Sequence, residues 1–210
     1  MEPITKEDES NVQAIYSKIR EWRNAHSPAS AFSILHAPLR YRDVPLLIIG
    51  QNPAKNGTKP SEQMHPPSRS FMFESAHRYA FTAQALFYRP GRTNHLRYAQ
   101  STDVNFFCDL DTPEARVTCA SALRDLIDVL SPKRILLNGI GAAESFLEIR
   151  GILPIPRVNF GVLLKDVFVC PHFSRRSDPP LDEWDRVIRD LATFLPEHEE
   201  NELGARRSES

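Results

Sequence analysis

Ser131-Pro132-Lys133-Arg134-Ile135-Leu136-Leu137-Asn138-Gly139-Ile140-Gly141-Ala142-Ala143-Glu144 is the stretch on which the reading of the fold turns. Ser131-Pro132 stops the element before it, Arg134-Ile135-Leu136-Leu137 is a short apolar run of strand length, and the glycines that follow mark a tight turn into a second helix. Upstream, Thr112-Pro113-Glu114 supplies an N-cap, a proline in the first helical position and a first-turn acid. Cys119, Ala122, Leu123, Leu126, Ile127 and Leu130 then form one helical stripe, which makes Cys119 a core residue. Helix, strand and helix in direct succession is the grammar of an α/β sandwich.

Working outward, three more runs share the strand character: Leu46-Leu47-Ile48-Ile49, Val104-Asn105-Phe106-Phe107 and Val167-Phe168-Val169, each bounded by Gly, Pro, Asp or Asn. Their apolarity is continuous rather than alternating, so they are expected to be buried on both faces. The pattern predicts a three-layer α/β/α sandwich with a central, mainly parallel four-stranded sheet. Val12, Ile15, Tyr16, Ile19 and Trp22 place a first helix at about 11–25, with Ser10 or Asn11 as its cap. A further helix is expected from Glu74 to Phe87, a short one after Gly141, and a last one along Trp184, Val187, Ile188, Leu191 and Leu195. Residues 51–70, rich in Pro, Ser, Asn and Lys, read as a long functional loop. Residues 1–195 are expected to form one domain, and 196–210 a charged, disordered tail.

The chain's 210 residues, 41% hydrophobic and 25% charged, suit one well-filled core. No run of about 18 apolar residues would span a bilayer, and the acidic start lacks the basic-then-apolar order of a signal peptide, so a cytoplasmic monomer with no membrane partner is expected. Cys108, Cys119 and Cys170 offer neither a disulfide framework nor a metal knuckle, and are expected to be buried thiols. The net charge of −1 excludes a strongly basic nucleic-acid binder. Basic side chains are nonetheless clustered, with Arg89, Arg92, His95 and Arg97 in one segment and Arg175-Arg176 in another, which leaves room for a local phosphate-binding face.

In open parallel sheets ligands bind beyond the carboxyl ends of the strands, so the exits are the places to look for chemistry. Gly50-Gln51-Asn52-Pro53-Ala54 leaves the first strand, Asn105 lies in the second, and Cys170-Pro171-His172-Phe173-Ser174 leaves the fourth. Asn138-Gly139-Ile140-Gly141 imitates a dinucleotide fingerprint, but Glu144 stands at the third glycine position, where its charge would repel a pyrophosphate. A tight strand-to-helix turn explains both glycines. Taken alone, Asn52-Pro53 is a common turn pair and a single histidine after a strand is more often structural than catalytic. Asn105 is harder to set aside, because a buried amide needs partners.

In this order these segments resemble the uracil-DNA glycosylase superfamily, whose members carry a first motif of the type G-Q-D-P-Y or G-x-N-P-G. An Asn-bearing strand, a P-x-x-I-x-x-x-G strand and a final H-P-S loop follow. The resemblance runs over about residues 45–195, and Val104 to Leu110 is most similar to the single-strand-selective monofunctional branch. It implies a monofunctional DNA N-glycosylase that binds DNA and hydrolyses the glycosidic bond of a flipped-out uracil or modified pyrimidine, leaving an abasic site, with no cofactor. Asn52 would position the attacking water, and Asn105 would read the base edge with Gln51 beside it. His172 would donate to O2 as the base departs, and Phe71 or Phe73 would stack on the ring. Phe173 would act as a wedge in the base stack, with Ser174, Arg175, Arg176, Arg89 and Arg92 against DNA.

The departures from the family carry information too. Ala54 stands where the classical uracil enzymes have Tyr, which opens the C5 side of the pocket. Asn52 replaces Asp, as in the mismatch-specific branch, and an amide cannot take a proton, so a slower enzyme is expected. The cysteines of the iron–sulfur branches are absent, and neither cluster nor metal is expected. Base excision repair and antiviral defence against phage DNA with modified bases both fit this reading. A catalytically inactive nucleic-acid-binding member of the same fold is the alternative from another class, and a small-molecule nucleotide module would rest on Gly139-Ile140-Gly141 alone.

Overall fold

The computed structural model describes residues 2–36, 39, 41–53, 99–152, 157–172 and 181–195. The expected helix at 74–87, the loop beyond Pro53 and the tail at 196–210 lie outside them. In chain order the described elements are β1 (Glu2–Pro3), α1 (Lys6–His26), β2 (Tyr41–Arg42), β3 (Leu46–Gly50), β4 (Ala99–Asp103), α2 (Pro113–Leu130), β5 (Ile135–Asn138), α3 (Ile140–Ile149), β6 (Gly161–Leu164), β7 (Val167–Cys170) and α4 (Leu181–Phe194).

The sheet has five strands in the order β4-β3-β5-β7-β6, not four. Strands β4, β3, β5 and β7 are parallel, as expected, and β6 closes one edge antiparallel to β7. Its sequence hides it: β6 is half-exposed, with Val162 at 63% exposure, and a register shift between Val162 and Leu164 breaks its alternation. The continuous apolarity of the inner strands has the predicted cause. Leu47, Ile49, Ile135, Leu137, Val167 and Val169 join one core with α1, α2 and α3, while Leu46, Ile48, Leu136 and Phe168 join a second core with Val187 and Leu191 of α4. Helices therefore cover both faces, giving the α/β/α layering.

The strand expected at 104–107 lies earlier. Strand β4 is Ala99-Gln100-Ser101-Thr102-Asp103, polar in composition yet buried from Gln100 onward. A hydrophobicity reading passes over it and settles on the next apolar residues. Those residues, Val104 to Phe107, are the exit from the strand; Phe106 and Phe107 fill the core, and Phe107 forms an isolated antiparallel bridge with Phe32. Helix α1 likewise begins at Lys6 rather than 11, because Thr5 and Asp8 form a capping box. The Asp8 amide donates to Thr5 Oγ1 at 3.1 Å and the Thr5 amide donates to Asp8 Oδ2 at 2.8 Å. Thr112 caps α2 as expected, accepting from the Ala115 amide at 3.2 Å. Among the described residues no helix is long and apolar enough to cross a membrane.

Candidate active site

Four parallel strands put four carboxyl ends at one edge, and backbone bonds tie the exits together beyond the strands. The Val104 and Asn105 amides donate to Gly50 O at 2.9 Å and Gln51 O at 3.0 Å, while the Gly139 amide donates to Cys170 O at 2.9 Å. The expected residues Gln51, Asn52, Asn105 and His172 are thereby gathered at one edge. Ala54, Phe71, Phe73, Arg89, Arg92, Phe173, Ser174, Arg175 and Arg176 lie outside the described residues.

Asn105 is buried at 6% exposure, and its carboxamide is pinned. Nδ2 donates to Leu110 O at 2.8 Å, and Oδ1 accepts from the Phe107 amide at 3.1 Å and from the Cys119 thiol at 3.5 Å. Oxygen and nitrogen cannot exchange places without setting an N–H against an N–H and a carbonyl against a carbonyl. Among the described residues Nδ2 has this one acceptor, which leaves its second N–H for a ligand. Burial pushes the Cys119 thiol up to about 11 and the Cys170 thiol up to about 12, so both act as core side chains rather than nucleophiles. Cys108, expected to be buried, is only partly so, since it leaves the core with the chain after Phe107.

Gln51 is stitched to α3, with Nε2 donating to Ser145 Oγ at 3.3 Å. Its Oε1 is buried and has no hydrogen-bond partner among the described residues. A Cβ at Gly141 would stand 3.4 Å from that oxygen, an ordinary contact distance. Asn52 is exposed, and its Nδ2 donates to Pro53 O at 3.3 Å.

His172 lies over Gly139, where a Cβ would meet the His172 Cβ at 3.1 Å and Cδ2 at 3.3 Å. Gly139 also has φ +97° and ψ 159°, a region of backbone space that is essentially glycine's own. The first glycine of the apparent dinucleotide fingerprint thus has a structural task, turning the chain beneath His172. Burial lowers the His172 pKa below its ordinary 6.5, and the charge of Asp103 opposes that shift. A neutral imidazole with a single N–H to donate is the consequence at neutral pH.

Substituting Gly139 by alanine should therefore strain the turn and displace His172 together. A loss of about 1–3 kcal/mol is expected from the backbone, or several degrees in Tm for a chain of this size. Calorimetry would check it; an unchanged Tm would deny that this turn needs glycine.

Two residues at the edge escaped the sequence reading. His36 Nε2 lies 2.9 Å from Asp103 Oδ2, with side-chain exposures of 11% and 4%. The signal was present as an acid at the end of a polar, unbroken pentapeptide, but it becomes visible only once 99–103 is known to be a buried strand. Among the described residues no group of three His, Cys, Asp or Glu side chains is placed to hold a metal ion.

No curated protein matches the chain in sequence. The family model described as Uracil DNA glycosylase superfamily matches residues 39–192, from just before β2 into α4, so it takes in the whole five-stranded sheet and all four exits. With well over half of the chain matched and the exits arranged as described, the chain belongs to the uracil DNA glycosylase superfamily, a family of DNA glycosylases.

Proposed function

We propose that the protein is a monofunctional DNA glycosylase that hydrolyses the N-glycosidic bond of a flipped-out uracil or modified pyrimidine and leaves an abasic site. The observation that carries this reading is the convergence of Asn52, Asn105 and His172 at the carboxyl edge of one parallel sheet. The bond from the sugar carbon to the base breaks with its electron pair leaving on the base, water held by the exposed Asn52 amide adds to the sugar carbon, and the proton that the water sheds passes through solvent to the base anion. His172 donates to the oxygen on which that charge collects. Two amides and a neutral imidazole orient and stabilise without a strong base, as suits a slow and selective enzyme.

The pinned amide of Asn105 adds selectivity. Because the protein fixes which end of the carboxamide is which, uracil-type and cytosine-type edges are told apart. Ala54, by the family resemblance, leaves the C5 side open to a methyl, hydroxymethyl or larger group. The protein would work in the cytoplasm as a monomer on single- or double-stranded DNA. Repair and defence against phage DNA with modified bases differ only in which 5-substituted base is cut.

The test is incubation of the full chain with oligonucleotides carrying uracil, thymine opposite guanine, hydroxymethyluracil and bulkier modified pyrimidines, followed by alkali to cleave abasic sites. Excision of one edge type, undiminished in EDTA, is expected. A requirement for added zinc or magnesium would overturn the chemistry, and binding without excision of any substrate would make the chain an inactive DNA-binding member of the family.

A further inference from the structure

We propose that Asp103, clamped by His36, is the positioning carboxylate of this site and acts on His172 from across the sheet edge. The inference deepens the glycosylase reading and rests on it for its kinetic part. Asn52 brings no charge where faster members of the family carry Asp. Strand β4 brings one instead: Asp103 pairs in register with Gly50 and folds its carboxylate over it, since a Cβ at Gly50 would fall 2.2 Å from Asp103 Oδ1. His172, coming from β7, folds over Gly139 at the end of β5 in the same way. Strands β3 and β5 are neighbours, so the acid over Gly50 and the imidazole over Gly139 reach the sheet edge from the two strands that flank this pair.

His36 holds the acid from the outer edge. Its backbone amide donates to Ser101 O at 3.0 Å and its Nε2 lies 2.9 Å from Asp103 Oδ2. Its Nδ1 is buried and has no hydrogen-bond partner among the described residues. Among the described residues the ring therefore meets a partner through Nε2 alone, and that nitrogen is aimed at one oxygen of the acid. Among the described residues, Asp103 with His36 approaches the site from the β4 side, and the first turn of α3, Ile140, Gly141, Ala142 and Ala143, carries no charged side chain. The Asp103 carboxylate is the charge that acts against the burial of the imidazole. The same negative charge favours a sugar that becomes cationic as its bond to the base stretches.

The experiment is a histidine-detected NMR pH titration of the full chain, with the His172 resonance assigned by its loss in His172→Gln. In Asp103→Asn the His172 midpoint should fall, because the charge that opposes the effect of burial is lost. His36→Gln, which can still donate to the acid, should leave the midpoint near the wild-type value, and His36→Leu should move it downward. Gly50→Ala should also lower it, because the new methyl displaces the carboxylate without removing its charge. A His172 midpoint unmoved in a folded Asp103→Asn protein, or in Gly50→Ala where Asp103→Asn does not fold, overturns the proposal. In single-turnover excision, the acid limb of the Asp103→Asn profile should shift with the NMR midpoint and its plateau should be about tenfold lower. If the wild-type chain excises nothing, the glycosylase reading fails, while the titration still decides whether Asp103 governs His172.

Discussion

Replacing His172 by alanine is expected to slow excision by about 10²–10³-fold, the usual loss for one donor aimed at a developing anion. DNA affinity should stay close to wild type, because the bond to His172 strengthens only as charge builds on the departing base. Single-turnover rates and fluorescence-anisotropy titrations, made on the same preparations, separate the two quantities. The pH dependence supplies a second handle. Burial holds the imidazole below its ordinary value of 6.5, so the neutral donor persists through the neutral range and excision should decline only at pH below that value. The same shift is a statement about stability: its contribution is complete above 6.5 and is lost as the pH falls through the lowered pKa, because the folded state resists the proton that the unfolded state takes. His172→Ala should remove both the acid limb and that part of the acid destabilisation. Equal losses in rate and affinity would reassign His172 to a structural role.

The parts of the fold that could be read from the sequence are those in which burial and secondary structure report the same thing. The runs at 46–49, 134–137 and 167–169 are strands because both of their faces are covered, and the stripe from Cys119 to Leu130 is a helix for the same kind of reason. Strand β4 shows where that logic stops. Gln100, Ser101, Thr102 and Asp103 are buried polar residues, with Gln100 Oε1 accepting from the Ser101 amide, Thr102 Oγ1 donating to Ile34 O and Asp103 held by His36, so no apolar pattern marks them. The displaced strand took part of the site with it: Asn105 was legible as a buried amide, but the carboxylate two residues earlier was not. Glycines behaved similarly. Gly139 and Gly141 announced a turn, whereas the use of Gly139 as a berth for His172 depends on a side chain from a distant part of the chain.

Asn105→Asp should be the most disruptive single-atom change at the site. In the wild type Nδ2 donates to Leu110 O at 2.8 Å and Oδ1 accepts from the Phe107 amide at 3.1 Å. Aspartate keeps the acceptor but turns the donor into a second oxygen facing a carbonyl, in a position 6% exposed and two residues from the Asp103 carboxylate. Burial, the opposed carbonyl and the like charge all favour the protonated acid, so the new carboxyl should titrate above the ordinary value of about 3.9. The sign follows from that shift. Below the unfolded pKa both states hold the proton and the variant is only mildly destabilised, since the protonated acid can still donate to Leu110 O. As pH rises toward and past the raised folded pKa the penalty grows, to about 3–5 kcal/mol for an uncompensated buried charge. Each kcal/mol is worth about 2–4 °C of Tm in a chain of this size. Melting curves of variant and wild type recorded side by side should therefore diverge by roughly 10 °C at neutral pH and converge in acid. In the folded variant the N–H left over for a base edge is gone as well, so excision should fall by about 10²-fold or more even at temperatures well below the transition. A gap in Tm that stays constant from acid to neutral pH would mean that residue 105 is not held against the Leu110 carbonyl. The fixed amide, and the selectivity argued from it, would then have to be abandoned.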